Sequence, residues 1–457
     1  MSNLLKAAGF WIWGLIAITV CLSLVTVSYR MVGALRAHSG LPNSASSAAP
    51  GPQAPRASLP EFLRKIFDPA KQSVISKSIA GEMTAAQTAV QTGEWSEALN
   101  HLEAAEEKGP LTAYDVKAIE EFRAYTNIKL GNFRAAQTAY ETSLSKGAYT
   151  DEELVRVFRV LFQLAASNQQ SSKAIGYGQR AYAVGALKSN DLMIMSQLYY
   201  QQRDCKNSSI WGDRAVSTSE KEGVAPKEVI FQIRLQCASD ANDSAAMEAA
   251  LYDLVHLTNK VSYWNDLIRL ERANERDDHN TLMIYRVMFD THSMLADTDY
   301  IEMAQLLGDA ALPGEAQMVL EKAISSGIVK DEHKERTVRL LNAMQTRADA
   351  DTNGLPGLEE EAARNSAGQL DMKLGEVYFG VRDYQAAAAA INRGLRKGQI
   401  RRPDEAYVYL GRVLVAQHEP SVAKGAIEQL NAVPGISPRV LRLWNLYADT
   451  LGQANPN

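Results

Sequence analysis

Aromatic residues are scarce in this chain, and the pattern of a β-strand is nearly absent. Phe, Trp and Tyr make up only 7% of the 457 residues, while alanine, leucine and glutamine are plentiful. Unbranched side chains lose little rotamer freedom in a helix, so this balance favours helices over sheets. No window shows sustained apolar–polar alternation bounded by hairpin turns. The sequence therefore predicts an all-α protein.

Basic charge and the common motifs of enzyme sites are also missing. The net charge of −5 argues against nucleic-acid binding as the main role, because that role usually needs a concentrated basic face. The chain has no GxxxxGK[ST], no GxGxxG after a strand, no HExxH and no GxSxG. We therefore predict a non-enzymatic protein without catalytic, metal-binding or cofactor-binding residues, without a cofactor, and with no nucleic-acid or small-molecule partner.

One long apolar run stands at the N-terminus, after a short tail at residues 1–6. Residues 7–29 carry no charge, and roughly 20 apolar residues suffice for a helix to cross a bilayer. Amphipathic rings, which prefer the headgroup region, fall near its ends at Trp11, Trp13 and Tyr29. The run predicts an uncleaved transmembrane signal anchor. A cleaved signal peptide is the alternative, but its apolar region is normally shorter and a small-x-small site follows it.

Residues 30–60 predict a juxtamembrane segment and a linker rich in Pro, Ser and Ala. Such composition cannot bury enough surface to order itself, and as a flexible coil its Pro-rich part would reach roughly 25 Å. The positive-inside rule gives a near tie, since Lys6 precedes the apolar run while Arg30 and Arg36 follow it. A span at the extreme N-terminus usually exports the chain that comes after it, so we expect an exported body.

The rest of the chain, residues 62–457, repeats itself with a period of about 36 residues. In "LGEVYFGVRDYQAAAAAINRGL", Leu374-Gly375 precedes Tyr384 and Ala387, and a shift of 36 residues gives Leu410-Gly411 with the same pattern downstream. A small residue recurs at one phase of the unit and is expected to allow close helix approach. These repeat-packing residues are Ala98, Ala136, Ala174, Ala316, Ala387 and Ala423.

This pattern resembles the tetratricopeptide repeat, and "GEWSEALNHLEAA" and "GNFRAAQTAYETSL" fit it closely. The resemblance implies a right-handed α-solenoid of about ten helix–turn–helix units with a C-terminal capping helix. It also implies a concave groove that binds protein segments. Each unit should contact only its neighbours. The departures are longer turns in several units and a large residue, Phe162, where a small one is expected.

Residues 263–323 and 397–411 are similar to a group of exported or membrane-anchored tetratricopeptide proteins of Gram-negative bacteria. Some of these are encoded beside TonB–ExbB–ExbD energy-transducing systems. The resemblance implies a scaffold on the bacterial inner membrane, with the solenoid in the periplasm and envelope proteins as partners. The alternative is a factor that assembles with itself to organise membrane complexes.

Two polar stretches are candidates for a site, and for both a structural interpretation is favoured. Asp277, Asp278 and His279 could bind a cation, but consecutive residues rarely converge on one ion, so a polar turn is expected. The basic stretch at residues 393–402 could grip an acidic partner or a lipid headgroup. A solvated loop near a helix C-terminus, where the dipole favours cations, is the more common case.

The repeat phase places Cys205 and Cys237 at the same edge of the stack, so a disulfide between them is a candidate. Two small buried apolar side chains are the alternative. If the body is exported, the bridge is chemically allowed, and we predict that neither thiol titrates without reductant in denatured protein. Ellman titration of the wild-type chain and of Cys205→Ser tests this. With the bridge only Cys21 should react in the wild type, and three reactive thiols there would rule out the bridge.

Overall fold

A computed structural model describes residues 59–67, 74–273 and 275–453, and within these ranges every regular element is helical. The chain divides into two compact units, the N-terminal unit (residues 1–233) and the C-terminal unit (residues 234–457). The proposed membrane span at residues 7–29, with Trp11, Trp13 and Tyr29, lies outside the described residues. Among the helices that the structure does describe, none is long and apolar enough to cross a bilayer.

The N-terminal unit begins with a short helix and continues with longer ones. They are α1 (Glu61–Arg64, followed by the 3-10 turn Lys65–Phe67), α2 (Ala80–Thr92), α3 (Trp95–Glu107), α4 (Ala113–Leu130), α5 (Phe133–Ser145), α6 (Asp151–Ser167), α7 (Ser171–Ala183), α8 (Ser189–Gln201), α9 (Cys205–Lys221) and α10 (Glu228–Asp240), which crosses the boundary.

The C-terminal unit continues in the same manner. Its helices are α11 (Ser244–Thr258), α12 (Val261–Ala273), α13 (Asp278–Asp290), α14 (Asp297–Asp309), α15 (Pro313–Ser325), α16 (Asp331–Asn353), α17 (Leu355–Arg364), α18 (Gln369–Gly380), α19 (Tyr384–Lys397), α20 (Pro403–Ala416), α21 (Pro420–Glu428, then the 3-10 turn Gln429–Ala432) and α22 (Pro438–Thr450). From α2 to α21 these helices form ten consecutive pairs, which we call repeats 1 to 10.

One backbone device joins the two helices in most repeats. A single residue with positive φ stands two positions before the second helix begins, and the chain turns sharply there. At Gly131 this φ is 79°, a value that an L side chain adopts only at a cost. The same position is filled by Gly93, Gln169, Arg203, Asn242, Ala311, Arg382 and His418.

Small residues lie where the two helices of a repeat approach each other. Ser196 and Ser208, twelve positions apart, each donate a hydroxyl hydrogen bond to the other's carbonyl oxygen at 2.8 Å. With the same spacing, an added Cβ on Gly375 would lie 3.5 Å from the carbonyl oxygen of Ala387. The six repeat-packing alanines are each the fourth residue of a second helix and are 0% exposed.

Repeat 3 departs from this rule and compensates for it. Phe162 occupies the small position of α6 and is completely buried. Its ring is accommodated by Gly178 of α7, where an added Cβ would lie 3.0 Å from the Phe162 ring and 2.2 Å from the sulfur of Met195. The large residue on one helix is therefore matched by a missing side chain on the other.

Repeats in the N-terminal unit are tied to their neighbours by polar pairs whose spacing follows the repeat. The Lys117 ammonium lies 2.6 Å from a Glu153 carboxylate oxygen, 36 residues on. Along the second helices, Gln137 donates to Gln170 at 2.9 Å, 33 residues on. These pairs fix the register of successive repeats beyond what apolar packing alone specifies.

The C-terminal unit does not follow the expectation that each repeat contacts only its neighbours. The Trp444 indole donates to the carbonyl oxygen of Met283 at 3.2 Å, across 161 residues, so α22 packs on α13. His279 of α13 lies 2.6 Å from Asp404 of α20, across 125 residues. Repeat 10 and α22 therefore fold back on repeat 6, because their apolar and charged side chains find partners there.

We predict that enlarging a buried alanine of α19 destabilises the protein much more than enlarging an exposed one. Ala387→Leu should lower the free energy of unfolding by about 1–3 kcal/mol, because the helices have no room to separate without strain. Ala389→Leu is the matched control, since Ala389 is exposed on the same helix. Urea denaturation of both variants measures the difference. Equal losses would show that the repeat phase is assigned wrongly.

Candidate functional site

A cleft of the N-terminal unit lies on the first helices of repeats 2 and 3. Helices α4 and α6 are long, 18 and 17 residues, and each begins with a capping box, Thr112 with Asp115 and Thr150 with Glu153. We call the surface that α4 and α6 form together the first-helix face. A cleft of about 360 Å³ opens on it.

The cleft is mostly apolar with a few charged groups at its edges. Its lining includes Tyr125 and Ile128 from α4 and Val155 and Val160 from α6, and Val155 is 36% exposed. Ligand sites in proteins are commonly of this kind, apolar with a small number of placed polar groups. The remaining lining residues are Phe62, Tyr140, Glu152, Arg156, Arg159, Gln163 and Ala186.

Two arginines at the cleft are held in place by buried carboxylates. Arg156 pairs with Glu121, whose side chain is 1% exposed, and also donates to the Tyr140 hydroxyl at 3.4 Å. The Arg159 Nε donates to Asp191 at 2.7 Å, and Arg159 is among the residues that line the cleft. Pairing fixes both side chains, and fixed arginines lose less entropy when a ligand binds.

A lysine and three rings stand beside the cleft. The Tyr125 ring meets Phe62 and Trp95 edge-on, each at 6.4 Å, and burial raises the pKa of its hydroxyl to about 12. The Lys129 ammonium lies 4.9 Å from the centre of the Tyr125 ring. Burial lowers the pKa of Lys129 to about 8, because the apolar surroundings disfavour its charged form. The faces of the rings act in the opposite direction and attract the ammonium group.

In the C-terminal unit a second cluster has the strongly shifted pKa values that often mark a catalytic site. Glu315 of α15 accepts from Arg286 of α13 at 2.9 Å and is paired with Arg412 of α20. Burial would raise the pKa of Glu315, but the two arginines hold it at about 2. The Tyr409 hydroxyl accepts from Arg286 at 2.9 Å and donates to Glu315.

This buried network leaves no space for a substrate. Arg286 is 0% exposed, and Glu315 and Arg412 are 2% and 5% exposed. The cavity beside Glu315, lined also by Glu376 and Lys373, has a volume of about 10 Å³, room for one water molecule. The cluster therefore connects α13, α15 and α20, and its shifted pKa values follow from this structural role.

The two polar stretches singled out in the sequence also have structural partners. Asp277 caps α13 by accepting from the Asn280 backbone at 2.9 Å, and His279 pairs with Asp404. No group of metal-ligating side chains suited to an ion occurs among the described residues. In the basic stretch, Lys397 lies 2.7 Å from the buried carboxylate of Asp371. Arg393 shares that carboxylate.

The residues that form the cleft were not predicted from the sequence. Phe62, Arg156 and Arg159 belong to no recurring position of the repeat. The spacing of Arg156 and Arg159 on one face of α6 was visible, but its relation to Phe62 was not. Cys205 is the first residue of α9 and Cys237 lies in α10, one in each unit, and their pairing stays a prediction.

Comparison with known proteins identifies the class of repeat. Residues 372–448 match the profile of the tetratricopeptide repeat family. Residues 372–448 thus carry the tetratricopeptide repeat, which confirms that part of the sequence prediction, and folds of this class generally serve as protein–protein interaction scaffolds. No curated protein matches the chain. Nothing in these comparisons concerns the TonB–ExbB–ExbD systems.

Three solved structures are among those that match. A tetratricopeptide repeat protein from Parabacteroides merdae is 14% identical, with 81% of this chain and 99% of that chain covered and a TM-score of 0.26. The structure of Naa15/Naa10 bound to HypK-THB is 12% identical, with 79% of this chain and 64% of that chain covered and a TM-score of 0.36. The C-terminal part of a TPR repeat-containing protein from Cytophaga hutchinsonii is 13% identical, with 69% of this chain and 94% of that chain covered and a TM-score of 0.28. At these identities and TM-scores, no conclusion about the chain rests on the likenesses.

We predict that His279 makes the stability of the C-terminal unit depend on pH. Burial opposes its charge, but hydrogen bonds and charges of Asp404 and Glu405 outweigh burial and raise the pKa of His279 from 6.5 to about 9. The stabilisation is complete below pH 6.5 and is lost as the pH rises through 9, a change of about 3 kcal/mol.

Urea denaturation of the wild type and of His279→Gln between these pH values measures the effect. The difference between their unfolding free energies should shrink as the pH rises, because the variant lacks the titrating group. A constant difference over that range would contradict the role assigned to His279.

Proposed function

We propose that this protein is a non-enzymatic interaction scaffold that binds a segment of a protein partner on the first-helix face of its N-terminal unit. The observation that carries the proposal is the cleft of about 360 Å³ between α4 and α6, with aromatic, aliphatic and arginine side chains in its wall. Tyrosine and arginine are among the residues that dominate binding energy at protein interfaces. The closed charge cluster around Glu315, by contrast, offers no access to a substrate.

Pre-organisation of the cleft supports this proposal. Asp191 holds Arg159 by one nitrogen and is itself bonded to Gln163 at 2.9 Å, so the guanidinium group has little freedom left. A partner that offers an acceptor to Arg159 and an apolar side chain to Val155 would lose little free energy to ordering the site. Affinity would come from a few such anchors and not from the total buried area.

We further propose that residues 7–29 anchor the protein in a bacterial inner membrane, with the repeats in the periplasm and an envelope protein as the partner. The uncharged run, its flanking rings and the linker of residues 30–60 support this. Residues 263–323 and 397–411 are similar to a group of exported repeat proteins, some of which are encoded beside TonB–ExbB–ExbD systems, and this supports an accessory role in such a system. Export would also make a Cys205–Cys237 bridge chemically reasonable.

Site-specific photo-crosslinking in living cells tests the partner-binding role. A photoreactive phenylalanine replaces Val155 in the full chain, and in a matched control it replaces Thr138, which is exposed on the second helix α5. Ultraviolet light should give a discrete adduct from position 155 and not from position 138. Identical adducts from both positions, or no adduct from position 155, would overturn the assignment of the first-helix face.

A further inference from the structure

Residues 59–67 belong to no repeat, yet they pack on the first-helix face. The segment "LPEFLRKIF" forms only α1 and one 3-10 turn, while repeat 1 begins at Ala80. Leu59, Leu63 and Ile66 are 5%, 0% and 4% exposed and share one apolar cluster with α2 and α4. The buried side chains are four and three positions apart, the spacing of an amphipathic helix lying on a surface.

Apolar contact holds most of this segment in place. Few polar contacts join the side chains and backbone of this segment to the described repeats. The Tyr114 hydroxyl donates to the carbonyl oxygen of Ile66 at 3.3 Å, and the Arg156 guanidinium stacks 4.1 Å from the centre of the Phe62 ring. The charged residues Arg64 and Lys65 face solvent. The gain from burial is offset by the cost of ordering a short segment, so a competitor of the same chemistry can replace it.

The open cleft adjoins this segment at Phe62. Phe62 is part of its wall, together with Tyr125 and Arg156, which also touch Phe62. A second segment that entered the cleft would therefore contact the side chains that hold Phe62. We call the surface on which residues 59–67 pack the seat. A partner segment that binds first in the empty cleft beside the seat is placed to displace residues 59–67 from it.

We propose that the seat of residues 59–67 is a receptor for an amphipathic helical segment of the partner, and that residues 59–67 are its built-in occupant. This inference rests on the proposed function and names the chemistry of the partner. The partner segment carries bulky apolar side chains at the spacing of Leu59, Leu63 and Ile66, with an aromatic residue at the position of Phe62. Competition from the built-in segment sets the affinity, because only the fraction of molecules with a free seat can bind.

Limited proteolysis of the wild-type full chain tests the exchange. The probe is a synthetic peptide of residues 59–67 with Arg64→Gln and Lys65→Gln, which trypsin cannot cut. At saturation it should speed tryptic cleavage of the protein after Arg64 and Lys65 by about tenfold, since cleavage follows the population of the displaced segment. The control peptide also carries Leu63→Asp and should leave the rate unchanged. An unchanged rate with both peptides, or the same rise with both, would overturn the proposal.

Binding of the fluorescent probe to chain variants gives an independent measurement. Leu63→Asp removes the built-in competitor, so this chain should bind the probe about tenfold more tightly than the wild type. Arg64→Gln is the matched control, because it changes the net charge by the same amount at an exposed neighbour, and it should bind as the wild type does. Equal affinities for Leu63→Asp and wild type would contradict the proposal, and proteolysis of the wild type stays decisive if Leu63→Asp does not fold.

Two outcomes separate this inference from its alternatives. If cleavage after Arg64 changes with the concentration of the wild-type chain alone, the occupant is a second copy, which overturns the assignment to a partner. If the adduct from position 155 forms while the probe peptide neither binds nor exposes Arg64, only the receptor inference fails. The proposed interaction role would then stand.

Discussion

The close approach of the two helices within each repeat is the constraint on which the rest of the structure depends. Ser196 with Ser208 and Gly375 with Ala387 bring two backbones within contact at a spacing of twelve residues. The spacing of twelve residues between the contacting positions fixes where the turn lies, and the contact fixes which face of each helix is left for the neighbouring repeat. Where one partner is large, as Phe162 is, the other helix supplies a glycine, so the separation of the helices is preserved.

The two units use this common repeat in different ways. In the N-terminal unit, polar pairs about one repeat apart connect neighbours, and the first-helix face keeps an open cleft. In the C-terminal unit, Glu315 is buried between Arg286 and Arg412 from distant repeats. Removing one member of such a cluster leaves an unpaired buried charge, which is far more costly than never having placed it there. The cluster therefore specifies one arrangement of these helices and excludes others.

The sequence predicted what is local and repeated. Apolar spacing indicated helices, and every regular element among the described residues is helical. The pairing of Arg286 with Glu405 across 119 residues could not be predicted, because periodicity says nothing about repeats that are far apart in the chain. The place of Phe62 was equally hidden, since its segment is too short to show a pattern and lies outside every repeat.

The long-range contacts of the C-terminal unit have a consequence for its evolution. Repeat proteins commonly gain or lose copies by duplication and deletion, because each copy needs only its neighbours. Between α13 and α20 such a change would carry Asp404 and Arg412 away from His279 and Asp290 and leave the charges buried and unmatched. The number of copies in this part of the chain is therefore fixed. In the N-terminal unit the polar pairs described above join neighbouring repeats, so a change in copy number there would break fewer buried ion pairs.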